Sequence, residues 1–258
     1  MAPKASLRFY AELNDFLPTA KKQVNFTHFF SGSPAVKDLI ESLGIPHTEV
    51  DLILVNGKSV DFSYRVSNND RIGVFPVFES LDISTILKVR PEPLREPRFI
   101  LDTHLGKLAS YLRMLGFDTL YRNDYSDEEL AEISSYEHRI LLTRDRGLLK
   151  RSVVTHGYLI RFENPRRQVE EVISRFDLYN LIKPFTRCMQ CNEFLENVSL
   201  DEVKGLVPKK VRENCDQFSR CLGCGKAYWR GTHYQEMVNF IEQLLDKTNR
   251  QNNIQNTL

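Results

Sequence analysis

The stretch RFILDTHLGKLASYLRMLGFDTLY, residues 98–121, decides the fold of the central part of the chain. An apolar run predicts a short buried strand that ends at Asp102, and FDTLY (117–121) predicts a second strand. Between them apolar residues recur at helical spacing, which predicts a helix over 104–116 that ends at Gly116. One side of this helix is expected to be buried through Leu105, Leu108, Ala109, Leu112 and Leu115. Strand, helix and strand in succession indicate an α/β domain.

The alternation continues on the C-terminal side of this stretch. Further elements are predicted at 126–137 (helix), 139–143 (strand), 146–150 (short helix), 157–162 (strand) and 164–176 (helix). Ser126 and Glu129 form a capping box at the start of the first of these helices, and Pro165 begins the last one. Alternating strands and helices predict a parallel sheet with helices on both faces, over residues 98–180.

The N-terminal part, residues 1–80, has a different pattern. Strand-like segments lie at 7–13, 24–30, 51–60 and 70–78, and a helix is predicted at 33–44. Ser33 can cap this helix, Pro34 stands at its first position, and Gly44 follows its last turn. The segment 51–60 runs into an Asn-Gly turn. The order ββαββ predicts a small mixed sheet crossed by one helix.

Three further segments complete the predicted organisation. Residues 81–97 contain VRPEPLREP and are expected to form an extended, proline-rich linker, because proline does not continue a helix or a central strand. Residues 181–240 hold the cysteines and predict a zinc ribbon with a closing helix. Residues 241–258 are expected to hold the end of that helix and a polar, disordered tail.

Composition and charge exclude some classes of protein and favour others. The chain contains no run of eighteen apolar residues, so no membrane span is predicted, and its N-terminus has no secretory signal. A cytoplasmic protein is therefore expected. The net charge is only +1. From Arg139 to Arg167, however, eight Lys or Arg residues stand against two acids. Such a basic stretch indicates a polyanionic partner, the alternative being a solvated basic face.

Carboxylates follow the predicted strands of the central domain. Asp102 ends one strand and Asp145 lies two residues beyond another, while Asp127 lies in the first turn of a helix and Asp124 in the loop before it. Ligands of open parallel sheets bind at the carboxyl ends of the strands, where these acids would meet. Clustered carboxylates repel one another unless a cation such as Mg²⁺ or Mn²⁺ lies between them. Two such ions can activate water and stabilise the leaving oxygen of a phosphodiester.

Each acid also has a simpler interpretation. Asp127 could serve only as a favourable first-turn residue, and Asp124 could be solvated. Asp145 could cap the following helix or pair with Arg144 or Arg146. Asp102 is harder to explain in this way, because a carboxylate that ends a buried strand needs a partner.

Four of the five cysteines form two CxxC pairs, Cys188 with Cys191 and Cys221 with Cys224. This spacing predicts a tetrahedral zinc site, with a redox dithiol or chance pairs as alternatives. Four thiolates leave no open position, so the zinc would be structural. Asn192 and Gly225 follow the second cysteine of each pair, where a tight turn needs such residues. The fifth cysteine, Cys215, is expected to be a bystander.

The segment GKAYWRGTHY (225–234) would lie at the surface of this ribbon. Tyr228 and Trp229 could stack on bases, and Lys226 and Arg230 could contact phosphates. The alternative is that Trp229 packs the ribbon onto the central domain. His233 could contribute to RNA binding or catalysis, or it could be a packed or hydrogen-bonded histidine.

Two families resemble parts of the chain. LVNGKSV (54–60) and NNDRIGVFPVF (68–78) resemble the ubiquitin-like sulfur-carrier family of ThiS and MoaD. Carriers of that family end in an exposed Gly-Gly, which is missing here, so the resemblance implies a β-grasp domain that binds or docks rather than one that carries sulfur.

The second resemblance covers about residues 97–240. FILDTHLGKLASYLRMLGFDT, SDEELAEIS and RILLTRDRGLLKR are similar to the PIN-like RNase domain at the C-terminus of the Mut-seven exonuclease. This resemblance implies Mg²⁺ or Mn²⁺ held by acids that match Asp102, Asp127 and Asp145, with Thr143 as the preceding hydroxyl and Asp124 as the candidate fourth acid. The same family often carries a ubiquitin-like N-terminal module.

The leading hypothesis is therefore a metal-dependent ribonuclease with structural zinc and catalytic Mg²⁺ or Mn²⁺. Its partners would be RNA, possibly tRNA, and a protein bound through the ubiquitin-like domain, with no membrane. The expected RNA contacts are Arg144, Arg146, Lys150, Arg151, Trp229, Arg230 and His233. One alternative is a non-catalytic RNA-binding protein associated with tRNA or translation. Another is an adaptor built around the ubiquitin-like domain.

Overall fold

The computed structural model describes residues 2–76 and 97–255, with side chains as far as Asp246. The predicted linker (81–97) lies almost wholly outside the described residues, as do the end of the strand predicted at 70–78 and residues 256–258. The chain divides into two compact units. Unit 1 contains residues 1–104 and 123–160, and unit 2 contains residues 105–122 and 161–258.

The elements follow one another in three groups. The N-terminal group is β1 (Lys4–Phe9), β2 (Phe26–Phe29), α1 (Val36–Ser42), β3 (Leu52–Val55), β4 (Lys58–Val60) and β5 (Arg71–Phe75). The central group is β6 (Phe99–Leu101), α2 (Gly106–Met114), β7 (Thr119–Tyr121), α3 (Asp127–Tyr136), β8 (Ile140–Thr143), α4 (Arg146–Leu149), β9 (Gly157–Leu159) and α5 (Pro165–Arg175). The C-terminal group is β10 (Leu195–Val198), α6 (Leu200–Val203), α7 (Lys209–Asn214), β11 (Phe218–Cys221), β12 (Ala227–Trp229) and α8 (Thr232–Gln255).

The N-terminal group forms the predicted mixed sheet. Its strand order is β2-β1-β5-β3-β4, with β1 and β5 parallel and the other neighbours antiparallel. The segment predicted as one strand at 51–60 is a hairpin, because Asn56 and Gly57 both have positive φ, +50° and +83°. Such values at both central residues match the right-handed twist of the flanking strands. The sheet therefore has one strand more than the predicted ββαββ order.

The start of α1 differs from the prediction. Ser33 does not cap the helix and Pro34 is not its first residue, because Ala35 pairs with Arg65 as an isolated β-bridge. The Ser33 hydroxyl donates instead to the Val66 carbonyl, 3.1 Å away. Pairing with a distant segment thus delays the helix until Val36, although the local sequence favours an earlier start. Gly44 follows the helix with φ +95°, as predicted.

The second sheet of unit 1 is parallel. Strand β8 lies between β6 and β9 and runs parallel to both. Helix α3 contacts β6 and β8, and it begins with the predicted capping box of Ser126 and Glu129. The three strands are almost wholly buried, which explains why they read as continuous apolar runs.

Within unit 1 the N-terminal module packs against the segment around β9. The buried Glu49 carboxylate accepts a hydrogen bond from the Leu159 N–H at 2.6 Å. The ring nitrogens of His47 lie 2.7 Å from the Val154 carbonyl oxygen and 2.7 Å from Glu41 Oε1. The module is therefore held by buried polar contacts, in addition to its chain connection.

Unit 2 contains α2, β7, α5 and the cysteine-bearing C-terminal group. Helices α2 and α5 pack on each other, and β10, β11 and β12 form an antiparallel sheet in chain order. Helix α8 continues to Gln255, so most of the predicted tail is helical. None of the helices in the described part of the chain combines the length and the apolar content needed to cross a membrane.

Candidate functional site

Asp102 directly follows β6 and is 6% exposed. Its Oδ2 accepts hydrogen bonds from the Thr143 hydroxyl at 2.5 Å and from the Arg144 N–H at 3.2 Å. Its Oδ1 accepts from the His104 N–H at 2.7 Å, and the His104 ring Nδ1 lies 3.2 Å away. The carboxylate is thus fixed at the carboxyl end of the parallel sheet, where α/β proteins bind their ligands.

Thr143 connects Asp102 to Asp145. Its buried hydroxyl donates to the Asp102 carboxylate and accepts from the Asp145 N–H at 2.9 Å. The Asp145 side chain caps α4, since its Oδ1 accepts from the Gly147 N–H at 2.7 Å. The capping interpretation of Asp145 therefore holds, and capping by Oδ1 still allows Oδ2 to act as a ligand.

Asp127 and Asp124 lie on the surface of unit 1. Asp127 is in the first turn of α3 and Asp124 is in the loop before it, and both side chains are exposed. In residues 2–76 and 97–246, the one set of three or more potential ligand atoms within 4.8 Å of one another belongs to the four cysteines. The structure thus brings Asp102 and Asp145 together through Thr143 and leaves Asp124 and Asp127 outside a compact ligand set.

The basic residues expected to contact RNA in unit 1 fall into two pairs. Arg144 is exposed and Arg151 is half-buried. Lys150 donates to the Glu41 carbonyl at 2.9 Å, and the Arg146 guanidinium lies 5.2 Å from the Phe16 ring centroid. Lys150 and Arg146 therefore contact the N-terminal module, a use that the charge pattern of the sequence does not reveal.

The four cysteine sulfurs of the two CxxC pairs converge in unit 2. The Sγ atoms of Cys188 and Cys224 are 3.7 Å apart, and those of Cys191 and Cys221 are 3.3 Å apart. A tetrahedral zinc ion with Zn–S bonds of about 2.3 Å separates its sulfurs by about 3.8 Å. The donor chemistry and the spacing therefore fit the predicted structural zinc ion.

The two CxxC turns repeat one backbone pattern. In each turn the residue after the second cysteine donates its N–H to the first cysteine's carbonyl: Asn192 to Cys188 at 2.9 Å and Gly225 to Cys221 at 3.1 Å. Both residues have positive φ, +74° for Asn192 and +73° for Gly225. This confirms the prediction that these positions need residues that tolerate the left-handed region.

Hydrogen bonds lower the pKa of one cysteine thiol, and burial raises the pKa of another. Burial alone would raise the pKa of Cys188, but hydrogen bonds from the Tyr228 hydroxyl and from the backbone of residues 190 and 191 lower it to about 6. Burial raises the pKa of Cys221 to about 12. Because zinc binds thiolates, binding of the metal would release protons from this site.

Two polar side chains anchor the first CxxC turn to the segment between α2 and β7. The buried Arg113 guanidinium donates to the carbonyls of Thr119 at 2.8 Å and Gln190 at 2.8 Å. Asn192 accepts from the Thr119 N–H at 2.9 Å and donates to the Asp118 carboxylate at 2.8 Å. Sequence reasoning missed these contacts. The signal that could have revealed them is the position of Arg113 on the apolar side of a predicted helix, because a buried arginine needs hydrogen-bond partners.

The ribbon residues expected to contact RNA differ in their exposure to solvent. Trp229 is half-buried and packs on a small core within the ribbon itself, formed by Val203, Val207, Phe218 and Ala227. Arg230 is exposed, and its guanidinium lies 5.3 Å from the Tyr234 ring centroid. The side chain of His233, at the start of α8, is 94% exposed and lies 3.5 Å from a Glu236 carboxylate oxygen. His233 is therefore a surface residue.

Comparison with protein families gives two matches in the predicted order. The model of the Mut7-C ubiquitin domain matches residues 2–82, and that of the Mut7-C RNAse domain matches residues 97–241. The second match alone covers more than half of the chain. Comparison with curated proteins and with solved structures gives no significant match.

Proposed function

The chain belongs to the Mut7-C RNAse domain family, and we propose that it is a metal-dependent ribonuclease that hydrolyses phosphodiester bonds in single-stranded or structured RNA. The observation that carries this proposal is the Asp102 carboxylate, buried at the end of β6 and joined through Thr143 to the Asp145 backbone. A charged side chain in such a place costs free energy unless it serves a ligand or a network.

Asp102, Asp127 and Asp145 would hold Mg²⁺ or Mn²⁺, with Asp124 as a fourth candidate. Their oxygen donors suit hard divalent cations. The side chains of Asp124, Asp127 and Asp145 are exposed, whereas that of Asp102 is buried. When bound, such an ion would activate water and offset negative charge on the scissile phosphate.

The protein's own residues would orient the acids and the RNA. Thr143 fixes one oxygen of Asp102, and the His104 N–H fixes the other. Arg144 and Arg151 are proposed to contact RNA phosphates, and so are Arg146 and Lys150 beside their contacts with the N-terminal module. The zinc ion would hold the ribbon folded, and the proposed compartment is the cytoplasm, where thiols stay reduced.

The test is cleavage of labelled single-stranded RNA and of tRNA by the zinc-loaded chain, with Mg²⁺, with Mn²⁺ and without either. Asp102→Asn keeps the shape of the side chain and removes its charge. We expect it to lower the metal-dependent rate by about 100-fold or more, since a catalytic metal contributes several kcal/mol. Binding of Mn²⁺, followed by electron paramagnetic resonance, should weaken in the same variant.

Glu128→Gln is the matched control, because Glu128 is an exposed acid next to Asp127 in the first turn of α3. It should cleave RNA and bind Mn²⁺ like the wild type. Equal loss in Asp102→Asn and Glu128→Gln would show that general charge, and not a metal site, is responsible. Cleavage that persists at full rate in Asp102→Asn would refute the proposal.

A second candidate function is non-catalytic RNA binding by the zinc-ribbon protein, with tRNA or translation as its setting. The contacts of Asp102 with Thr143, Arg144 and His104 favour it, because they satisfy the buried carboxylate without a metal. In that case RNA binding would be salt-sensitive, no metal-dependent cleavage would occur, and Asp102→Asn would leave RNA affinity unchanged.

A protein partner is proposed for the ubiquitin-like domain. Part of this domain already contacts the β9 segment through His47 and Glu49. The edge strand β2, with Phe29 exposed, remains for a partner. Capture of a partner by the wild type but not by Phe29→Glu would support this role.

A further inference from the structure

Unit 2 contains a cavity of about 280 Å³ between the ribbon and the start of α8. Aromatic, arginine and methionine side chains form most of its wall, together with three small polar side chains. The polar members are Asn197, Gln217 and Ser219. A cavity with apolar walls and a few polar groups is typical of a small-ligand site.

Aromatic rings from three segments line this cavity. Trp229 comes from β12 and Tyr234 from α8, and Phe185 comes from the segment before the first CxxC turn. The rings of Phe185 and Tyr234 lie 4.6 Å apart with an interplanar angle of 37°. Phe185 has φ +59°, which is rare for a bulky residue and carries backbone strain. The fold therefore keeps this ring beside the cavity at a cost in conformational energy.

Arg187 lines the cavity and is largely buried. Its side chain is 15% exposed, and its guanidinium donates to the Asn192 carbonyl at 2.9 Å. Its Nε–H is buried and has no hydrogen-bond partner in the described part of the chain. The guanidinium also lies 3.9 Å from an Asp118 carboxylate oxygen and 4.3 Å from the Phe194 ring centroid, so Arg187 is fixed as part of the cavity wall.

The charge of the lining selects the kind of ligand. Arg187 and Arg230 line the cavity, and among its described lining residues there is no carboxylate. The lining also includes Met114, Met189 and Met237, which are all of the methionines beyond Met1. Methionine side chains are flexible and polarizable, so such a wall can adjust to flat rings of different size.

We propose that this cavity binds one unpaired nucleobase of RNA, with the neighbouring phosphate at Arg230. The base would stack against Trp229 and Tyr234. Asn197, Gln217 and Ser219 offer further donors and acceptors to the base edge. This inference rests on the proposed RNA-directed function and adds a substrate subsite in unit 2, whereas the acids are in unit 1.

Trp229 makes the site directly measurable, because it is the chain's one tryptophan. Zinc-loaded, full-length Asp102→Asn protein, without added Mg²⁺ or Mn²⁺, is titrated with single-stranded RNA of about ten nucleotides. We expect saturable quenching of the tryptophan fluorescence. An abasic ribose-phosphate oligomer of equal length should leave the fluorescence unchanged, and a free mononucleotide should bind far more weakly, since it lacks the neighbouring phosphates.

Tyr234→Ala, introduced into the same protein, should weaken RNA binding by about 5- to 150-fold, the range expected for loss of one base–aromatic contact. Tyr136→Ala is the matched control, because Tyr136 is an 88% exposed tyrosine in unit 1. Unchanged zinc content shows that each variant is folded.

Three results would overturn the subsite: no quenching by RNA, equal quenching by the abasic oligomer, or a mononucleotide that binds as tightly as the oligomer. Equal affinity of the Tyr234→Ala and Tyr136→Ala variants would overturn it as well. The cleavage assay on the wild type is independent of these results. Quenching without cleavage would refute the nuclease proposal and support the subsite. Cleavage without quenching would refute only the subsite.

Discussion

Thr143 shows how much one hydroxyl group does at the end of β8. It donates to Asp102 and accepts from the Asp145 N–H, and it is fully buried. Thr143→Val keeps the shape and removes the hydrogen bonds that Asp102 and the Asp145 N–H make with the hydroxyl. We expect it to lower the free energy of unfolding by about 1–3 kcal/mol, measured by urea denaturation. Thr143→Ser retains the hydroxyl and should lose less. Equal losses in the two variants would contradict this role.

A comparison of Gly116 with Gly44 distinguishes the cost of backbone strain from the cost of a steric clash. Their φ angles are nearly equal, +96° and +95°. A Cβ at Gly116 would lie 2.3 Å from the Lys183 carbonyl oxygen, while one at Gly44 would meet its nearest atom, the Phe16 carbonyl oxygen, at 3.8 Å. Gly44→Ala should therefore cost about 1–2 kcal/mol of stability, from φ alone. Gly116→Ala should cost clearly more. Thermal unfolding measures both, and similar shifts would rule out the steric conflict.

Residue-scale features were predictable where local chemistry alone determines them. The positive φ values of Asn192 and Gly225 follow from the geometry of a CxxC turn, and the Ser126 capping box follows from sequence spacing. Ser33 was misassigned because its hydroxyl bonds Val66, which is far away in sequence. Capping of α4 by Asp145 is one of the alternatives that the sequence leaves open. The partner of Arg113 at Gln190 could not be predicted, since this contact joins segments more than seventy residues apart.

At the scale of elements, the ribbon depends on its four cysteines. Its small core consists of Val203, Val207, Phe218 and Ala227. So small a core contributes little hydrophobic stabilisation. Cys188→Ser should therefore abolish zinc binding, measured as metal content, and should unfold the ribbon, measured by tryptophan fluorescence. Cys215 is the matched control, because it lies outside the four-cysteine set. Cys215→Ser should keep one zinc ion per chain, and loss of zinc in that variant would contradict the assignment.

Element positions in the central group could be predicted almost completely. Buried parallel strands are continuous apolar runs, and α3 and α5 begin at capping residues that the sequence displays. The N-terminal group was predicted with one strand too few, because a tight Asn-Gly hairpin and a strand that ends at the turn have the same local pattern. Strand β1 was expected to continue to residue 13, whereas the chain turns into a 3₁₀ helix at Ala11–Phe16.

At the scale of the whole molecule, the packing of the N-terminal module could not be predicted. Residues 47–51, HTEVD, are polar apart from Val50, and all five are buried. A polar segment without apolar periodicity reads as a surface loop. Glu49 and His47 are nevertheless buried because they find hydrogen-bond partners at Leu159 and Val154, in the central group. Buried polar contacts of this kind depend on the tertiary fold and leave no signal in the local sequence.

The pairing of Glu41 with His47 predicts how stability depends on pH. Burial alone would raise the pKa of Glu41, but the hydrogen bond and the charge of His47, together with Lys37, lower it below its ordinary value. The folded state therefore binds this proton less readily than the unfolded state. The stability that Glu41 contributes is present above its unfolded pKa, about 4.3, and is lost as the pH falls through its lower folded value.

Glu41→Gln removes this titration. Its free energy of unfolding should be lower than that of the wild type at neutral pH, and the difference should shrink as the pH falls below about 4. Urea denaturation at a series of pH values measures this. Glu132→Gln, which alters an exposed acid of α3, should follow the wild-type curve. If the Glu41→Gln and wild-type curves stay parallel down to acidic pH, the Glu41–His47 pair does not couple the module's packing to protons. The module would then be held by the contacts of His47 with Val154, of Glu49 with Leu159 and of Lys150 with the Glu41 carbonyl, without a contribution from the Glu41 carboxylate.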